Sequence, residues 1–386
     1  MRILVNAVGA RMGGAARHLQ PFLEALLNVR PDWKLVVCIG HGDEGAVASD
    51  RHVELDARLE MFETTGTGIA ARLKWDLCGA TSFANLHNAD AILSLTNYGP
   101  IAPDRPSVLY QRNSIYFDPY WIRRSSVRHR AVASVRRKLA FAELARSSAV
   151  VAPTRAMLSY LRAWSHASLP TRAEVITHAV NSERFVFIEP RRDRHNAEVR
   201  LLTVAHAASH KGLETAISCV AHLQRLGISS ELALTVAPTG NGPSQGYVDR
   251  LLRHARRQGV EDQVEWMGSH PSVESLYRQA DVLLFPSLTE SFGFPLVEAL
   301  ATGTAIVASA IPSSIEVAGH NAMYFVPGDA ATAAAHVVSI MQRDGTAVAV
   351  CAAEGRALAE TMTWQRNAAA VARLLEEVSS GSHLSM

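Results

Sequence analysis

Short β-branched, apolar runs alternate with longer amphipathic stretches along the first half of the chain. The runs RILVNAV, KLVVCIG, AILSLT, SVLYQ, AVVAPT and AEVITHA are separated by segments such as AARHLQPFLEALLNV, whose apolar positions recur at helical spacing. Strands that alternate with helices predict a parallel, doubly wound sheet. The second half repeats the rhythm with RLLTVAH, ELALTVA, QVEWMG, DVLLFPS, TAIVASA and AMYFVPG. The economical reading is two Rossmann-like domains in tandem. Between them PRRDRHNAEV (190–199) is polar and charged with no periodic apolar face, as expected of an interdomain linker. The predicted domains are 1–190 and 191–364.

The length of 386 residues agrees with two cores, since a single core stops growing at about 250–300 residues. With 48% hydrophobic and 19% charged residues the composition is that of a globular protein, and no apolar run approaches the roughly 18 residues of a membrane-spanning helix. MRILVNAVG runs straight into a strand with no secretory h-region, and Cys38, Cys78, Cys219 and Cys351 are scattered without a C-x-x-C pair. Neither a zinc site nor a disulfide framework is expected, and a cytoplasmic location is. The net charge of +2 is uneven, +6 over residues 1–190 and −4 over 191–386, so the first half is the more attractive to an acidic ligand or surface. Basic charge is too sparse for a nucleic-acid binder. In open parallel sheets ligands sit beyond the carboxyl ends of the strands, so the candidate residues are those in strand-to-helix loops.

Three such loops stand out. Gly13 and Gly14 follow the first strand in NAVGARMGGAARHL, where the backbone turns tightly and a helix N-terminus favours phosphate. The spacing is neither G-x-G-x-x-G nor a Walker loop, and a plain tight turn explains it equally well. VAHAASHKGLETAI places His206 and Lys211 on the way into a helix. A lysine opposes the dipole at a helix N-terminus, so its position calls for an anion to bridge, whereas His206 can equally be a hydrogen-bonded wall residue. In PSLTESFGFPLVEAL (286–300), Gly293 frees the backbone, Pro295 suits a first helical turn and Gly303 ends the helix. The N–H groups near Phe292–Phe294 form an anion site. Glu298 can accept from a ribose diol and Glu290 from sugar hydroxyls. A solvated loop charge and a dipole-favoured helix acid are the ordinary alternatives for these two glutamates. Taken jointly with Lys211 and the glycine loop, the set suits a sugar nucleotide.

At these residues the chain resembles glycosyltransferase family 4. ESFGFPLVEALATGTAIVAS is similar to the family's E-x7-E signature, MGGAARH to its glycine loop and THAVNSERF (177–185) to its interdomain motif. SHKGLETAI resembles its R-x-x-x-x-K-G, and QVEWMGSHPSVESLYRQADVLLFPS its V-x-F-x-G followed by L-Y-x-x-A-D-V. The resemblance implies an α/β fold of two Rossmann-like domains facing across a cleft (GT-B), and a retaining transfer of a sugar from a nucleotide-diphosphate sugar to an acceptor hydroxyl. It implies that Lys211 binds the donor diphosphate, Glu298 the ribose and Glu290 the transferred sugar. Ser291, Phe292, Gly293 and Phe294 would then line the helix N-terminus, Gly13 and Gly14 would approach the phosphate, and Met267, Gly268 and Ser269 would lie near the base. It also implies that the final helix, 365–386, crosses back to the N-terminal domain.

The chain departs from that pattern in places. His206 stands where the family usually has arginine, a weaker and pH-dependent cation. YQRNSIYF replaces a segment that often carries a catalytic histidine, which leaves Gln111, Arg112, Asn113 and His178 as the candidates for contact with acceptor or sugar. No D-x-D occurs, so no metal or other cofactor is expected and catalysis by Lys211, His206 and Glu290 would be electrostatic. A nucleotide-sugar epimerase of the same fold and a non-catalytic sugar-nucleotide binder are the alternatives. The acceptor, whether glycan, lipid-linked sugar or small metabolite, is not encoded in a recognisable motif. In 120–148 a stripe of Val127, Ala131, Val135 and Leu139 opposes many arginines. A core-packed helix with a solvated basic face is expected, with peripheral contact to an anionic membrane as the alternative.

Overall fold

A computed structural model describes residues 1–8, 14–40, 56–64, 71, 74–165, 169–189, 198–237, 245–268, 270 and 272–381. The chain forms two compact units, Met1–Ala179 with Thr363–Met386, and Val180–Met362. The first holds seven strands: β1 (Arg2–Asn6), β2 (Lys34–Gly40), β3 (Leu59–Thr64), β4 (Ala91–Ser94), β5 (Ser107–Tyr110), β6 (Ala149–Ala152) and β7 (Arg172–Val175). All pair in parallel in the order β3-β2-β1-β4-β5-β6-β7. Its helices are α1 (Gly14–Val29), α2 (Ala80–Leu86), α3 (Pro119–Arg124), α4 (Val127–Leu144) and α5 (Arg155–Ser165). Successive β1 residues bury on opposite faces, Ile3 and Val5 in one core with α1, Leu4 in another with Val36 and Ile92. Burial on both faces is why these strands read as continuous apolar runs.

The second unit repeats the plan with β8 (Val199–Thr203), β9 (Ser230–Leu234), β10 (Val264–Trp266), β11 (Val282–Phe285), β12 (Ala305–Ser309) and β13 (Ala322–Phe325). They pair in parallel in the order β10-β9-β8-β11-β12-β13. Its helices are α6 (Leu213–Arg225), α7 (Gln245–Gln258), α8 (Val273–Gln279), α9 (Phe294–Thr302), α10 (Pro312–Ala318), α11 (Ala330–Met341) and α12 (Gly345–Glu360). Strand order reverses between β1 and β4 in one sheet and between β8 and β11 in the other, the point at which doubly wound sheets open a ligand crevice. The helix α13 (Trp364–Gly381) belongs to the first unit, where Val371, Leu374 and Leu375 join the core formed by Leu19, Leu23 and Leu26 of α1.

The structure departs from the sequence reading in three places. The strand β3 was not expected. It lies at the sheet edge, and its LEMFET sequence sets glutamates among apolar residues that are only partly buried. The passage between units falls at Ala179–Val180, because Val180 and Phe185 are already buried in the second core; the polar stretch follows inside that unit, and its residues 190–197 lie outside the described residues. The apolar stripe on α4 does not face the core. Val127 is 72% exposed and Val135 60%, while Ala133, Ala140 and Leu144 lie on the buried side, where the two alanines let the helix pack closely.

Gly212 is the backbone hinge between β8 and α6. Its φ of +62° is left-handed, and a Cβ there would lie 2.2 Å from the Pro286 carbonyl oxygen at the end of β11. This glycine lets the loops after β8 and β11 touch, and the Leu288 N–H donates to the His210 carbonyl at 2.8 Å across the same junction. Gly212→Ala is therefore expected to lower the unfolding free energy by about 2 kcal/mol or more, from the left-handed backbone and the carbonyl clash together. Chemical denaturation measures it, and a loss below about 0.5 kcal/mol would mean that the two loops separate at little cost.

Candidate functional site

The loop after β8 carries His206 and ends in a short 3-10 turn, Ser209–Lys211, before α6. The loop after β11 carries Ser287, Glu290 and Ser291 before α9. Because β8 and β11 are neighbours at the reversal of strand order, residues far apart in sequence meet there. The Lys211 Nζ donates to Glu290 Oε1 at 2.5 Å, and the Ser287 hydroxyl donates to the same oxygen at 2.9 Å. Both partners are largely covered, with 15% and 13% of their side chains exposed. Burial alone would raise the Glu290 carboxyl; the charges of Lys211 and His210, with the hydrogen bonds from Lys211 and Ser287, outweigh it and hold the group below its usual value.

The His206 ring packs edge-on to His210 with centroids 5.6 Å apart. Although the residue as a whole keeps an exposed edge, atoms crowding the imidazole and then the nearby Lys211 charge lower its basicity, against the pull of Glu290. His206 is thus kept neutral more readily than an ordinary histidine, in a place that already holds one cation.

The helix α9 starts as the sequence requires. Gly293, at φ +101°, occupies the N-cap, Pro295 lies in the first turn and Gly303, at φ +78°, ends it. Its cap has no side-chain hydrogen bond. Phe292 is buried and stacks edge-to-face on Phe294 at 5.3 Å, fixing the entry to the helix. Glu298 lies beyond the first turn and is buried at 6% exposure, so it is neither a solvated acid nor a first-turn dipole partner. The Tyr277 hydroxyl donates to its Oε2 at 2.7 Å. After β10, the Met267 N–H donates to the Leu234 carbonyl and the Gly268 N–H to the Val236 carbonyl, with Gly268 at φ +67°. Gly13 and Ser269 lie outside the described residues, and of Gly14 only its place as the first residue of α1 is described.

The remaining candidates belong to the first unit. Gln111 is buried and its amide donates to the Asn97 carbonyl at 2.6 Å. Asn113 accepts from the Ile115 N–H and caps the turn Ser114–Tyr116, a local structural task. His178 is buried and stacks on Tyr110 at 6.0 Å, and Arg112 lies beside them after β5. Sequence reasoning missed Ser287, His210 and Tyr277. All three sit within the very motifs quoted above, but a hydroxyl aimed at a carboxylate is visible only once the loop and helices are folded. Among the described residues no three His, Cys, Asp or Glu side chains stand together as metal ligands.

Removing one member of the Lys211–Glu290 pair leaves a covered charge uncompensated. Lys211→Met is expected to cost about 2–4 kcal/mol of stability, and Lys211→Met with Glu290→Gln to recover most of that. Denaturant unfolding of the two single variants and the double completes the cycle; additive losses would mean that the pair is not coupled.

Residues 187–357 match the family model described as "Glycosyl transferases group 1". Over 204 residues, 52% of this chain, the sequence is 30% identical to a glycogen synthase of Mycobacterium tuberculosis, and the match spans 47% of that relative. The chain thus spans about half the length of this curated relative. The structure superposes on sucrose-phosphate synthase from Thermosynechococcus elongatus with a TM-score of 0.76 at 16% identity, over 99% of this chain and 100% of the other. It superposes on Anabaena HepE in complex with UDP and glucose with a TM-score of 0.71 at 18% identity, over 97% and 99%. The fold is accordingly GT-B, and the segment that carries His206, Lys211, Glu290 and Glu298 is similar to group 1 glycosyl transferases.

Proposed function

We propose that this chain is a glycosyltransferase that moves a sugar from a nucleotide-diphosphate sugar to an acceptor hydroxyl, with retention of configuration and without a metal. The observation that carries the reading is the Lys211–Glu290 pair at the reversal of strand order, inside the segment that matches the group 1 model. Open parallel sheets bind ligands there, and a lysine near a helix N-terminus suits a diphosphate. That HepE is described with UDP and glucose supports the donor class.

In this mechanism the ammonium of Lys211 turns from Glu290 to the diphosphate, and Glu290, released, accepts from the sugar hydroxyls. As the bond from the anomeric carbon to the phosphate oxygen breaks, its electron pair stays on the diphosphate, stabilised by Lys211 and the N–H groups at the start of α9. The acceptor oxygen attacks from the face the diphosphate leaves and passes its proton to the departing phosphate oxygen. Glu298, held by Tyr277, orients the ribose. The epimerase and the binder are kept as outcomes of the test. Incubation with a panel of nucleotide sugars is expected to release nucleoside diphosphate slowly by transfer to water. Glu290→Gln should lower that rate about 100-fold. An isomerised donor would indicate the epimerase, and thermal stabilisation alone the binder.

Donor binding should also take up a proton. His206 in the free protein is less basic than an ordinary histidine, and a neighbouring diphosphate would favour its protonated form. Affinity for the nucleotide sugar, whose diphosphate does not titrate near neutrality, should therefore fall as pH rises from about 6 to 8. Titration calorimetry on the wild type and His206→Gln checks this; parallel pH profiles would show that His206 does not sense the donor.

The exposed Val127 and Val135 among the arginines of α4 support the membrane-contact reading of that helix. Among the described residues no helix is long and apolar enough to cross a membrane. Co-sedimentation with anionic but not neutral vesicles is the expected result, and binding to neither removes the reading.

A further inference from the structure

The first sheet has its own crevice at the reversal between β1 and β4, and its chemistry differs from that of the second.

Tyr110, Arg112, Thr96, His178, Trp364 and Asn367 line a cavity of about 30 Å³ within the first unit. Among the described residues, Arg112 is the one permanently charged residue that lines it.

Among the described residues no carboxylate neutralises the Arg112 guanidinium. Its side-chain hydrogen bond there is a long one, Nη1 to the Leu95 carbonyl at 3.4 Å, and its acidity is set by burial and then by Tyr110. Burial pulls it down to about 10, so it stays charged at neutral pH. A covered charge without a counterion is costly, and a guanidinium with unused N–H groups matches an oxyanion in shape as well as charge. The Tyr110 hydroxyl is buried, faces Asn367 and completes no hydrogen bond of normal geometry, which adds a second donor to the same cavity. The volume has room for a carboxylate or the outer oxygens of a phosphate and not for a sugar ring.

We propose that this cavity is an oxyanion subsite of the first unit, and that the acceptor carries a phosphate or carboxylate which Arg112 and Tyr110 hold. The assignment of that anion to an acceptor rests on the transferase reading above; the subsite itself does not.

Two measurements separate the two. First, inorganic phosphate and acetate are titrated against the full chain carrying Lys211→Met, which removes the donor-side lysine, and thermal unfolding is followed. Phosphate or acetate should raise the melting temperature of that chain and should fail to do so once Arg112→Gln is added, with Arg112→Lys retaining part of the effect. Equal protection with and without Arg112→Gln, or protection of neither, overturns the subsite. Second, the wild type is given a nucleotide sugar it turns over, with glucose, glucose 6-phosphate and glucuronate as paired acceptors. An anionic acceptor should be preferred at least tenfold in kcat/KM, and Arg112→Gln should abolish the preference through KM. Turnover with no preference for the anionic acceptors overturns the acceptor assignment and leaves the transferase reading standing; absence of turnover with any donor sinks that reading while the phosphate titration still decides the subsite.

Discussion

The reversal of strand order between β8 and β11 is the constraint on which the second unit's site depends. Parallel strands carry their following loops to the same edge of the sheet, and only at the reversal do two such loops diverge to opposite faces and leave a crevice between them. Lys211 and Glu290 come from these two loops, so their ion pair is a consequence of topology as much as of sequence. Gly212 is what permits the close approach, because any side chain there would meet the Pro286 carbonyl.

The pair also sets the electrostatics around it. Glu290 stays ionised in spite of burial because Lys211 and His210 face it, and Lys211 in turn makes a proton on His206 less welcome. A site with arginine in place of His206 would hold two permanent cations. With histidine the second charge is disfavoured by burial and by Lys211, so the site avoids the repulsion that two fixed charges would impose.

Much of the fold was legible because the central strands are buried on both faces and leave unbroken apolar runs, as in β1, β4, β5, β6 and β11; with the shorter runs beside them, twelve of the thirteen strands are marked. The exception, β3, sits at an edge, where half-exposed positions admit Glu60 and Glu63 and erase the signal. The α4 stripe misled for the opposite reason: helical spacing of Val127, Ala131 and Val135 is the same whether the stripe meets a core or solvent, and here alanines do the packing. The glutamates and Lys211 were legible from turn chemistry and spacing. Tyr277, Ser287 and His210 were not, since their roles depend on how the loops and helices fold against one another. Arg112 was visible only as one of three adjacent candidates until the pairing of β4 and β5 placed Asn113 in a cap and Gln111 against Asn97.

The helix α13 has a consequence for how the molecule is made. Its Val371, Leu374 and Leu375 complete the core of a unit whose strands all precede residue 180, and its Trp364 and Asn367 form one wall of the Arg112 cavity. During synthesis from the N-terminus the whole second unit leaves the ribosome before that wall exists. The first unit to begin is therefore the last of the two to close, and its apolar surface against α1 waits uncovered until the second unit has emerged.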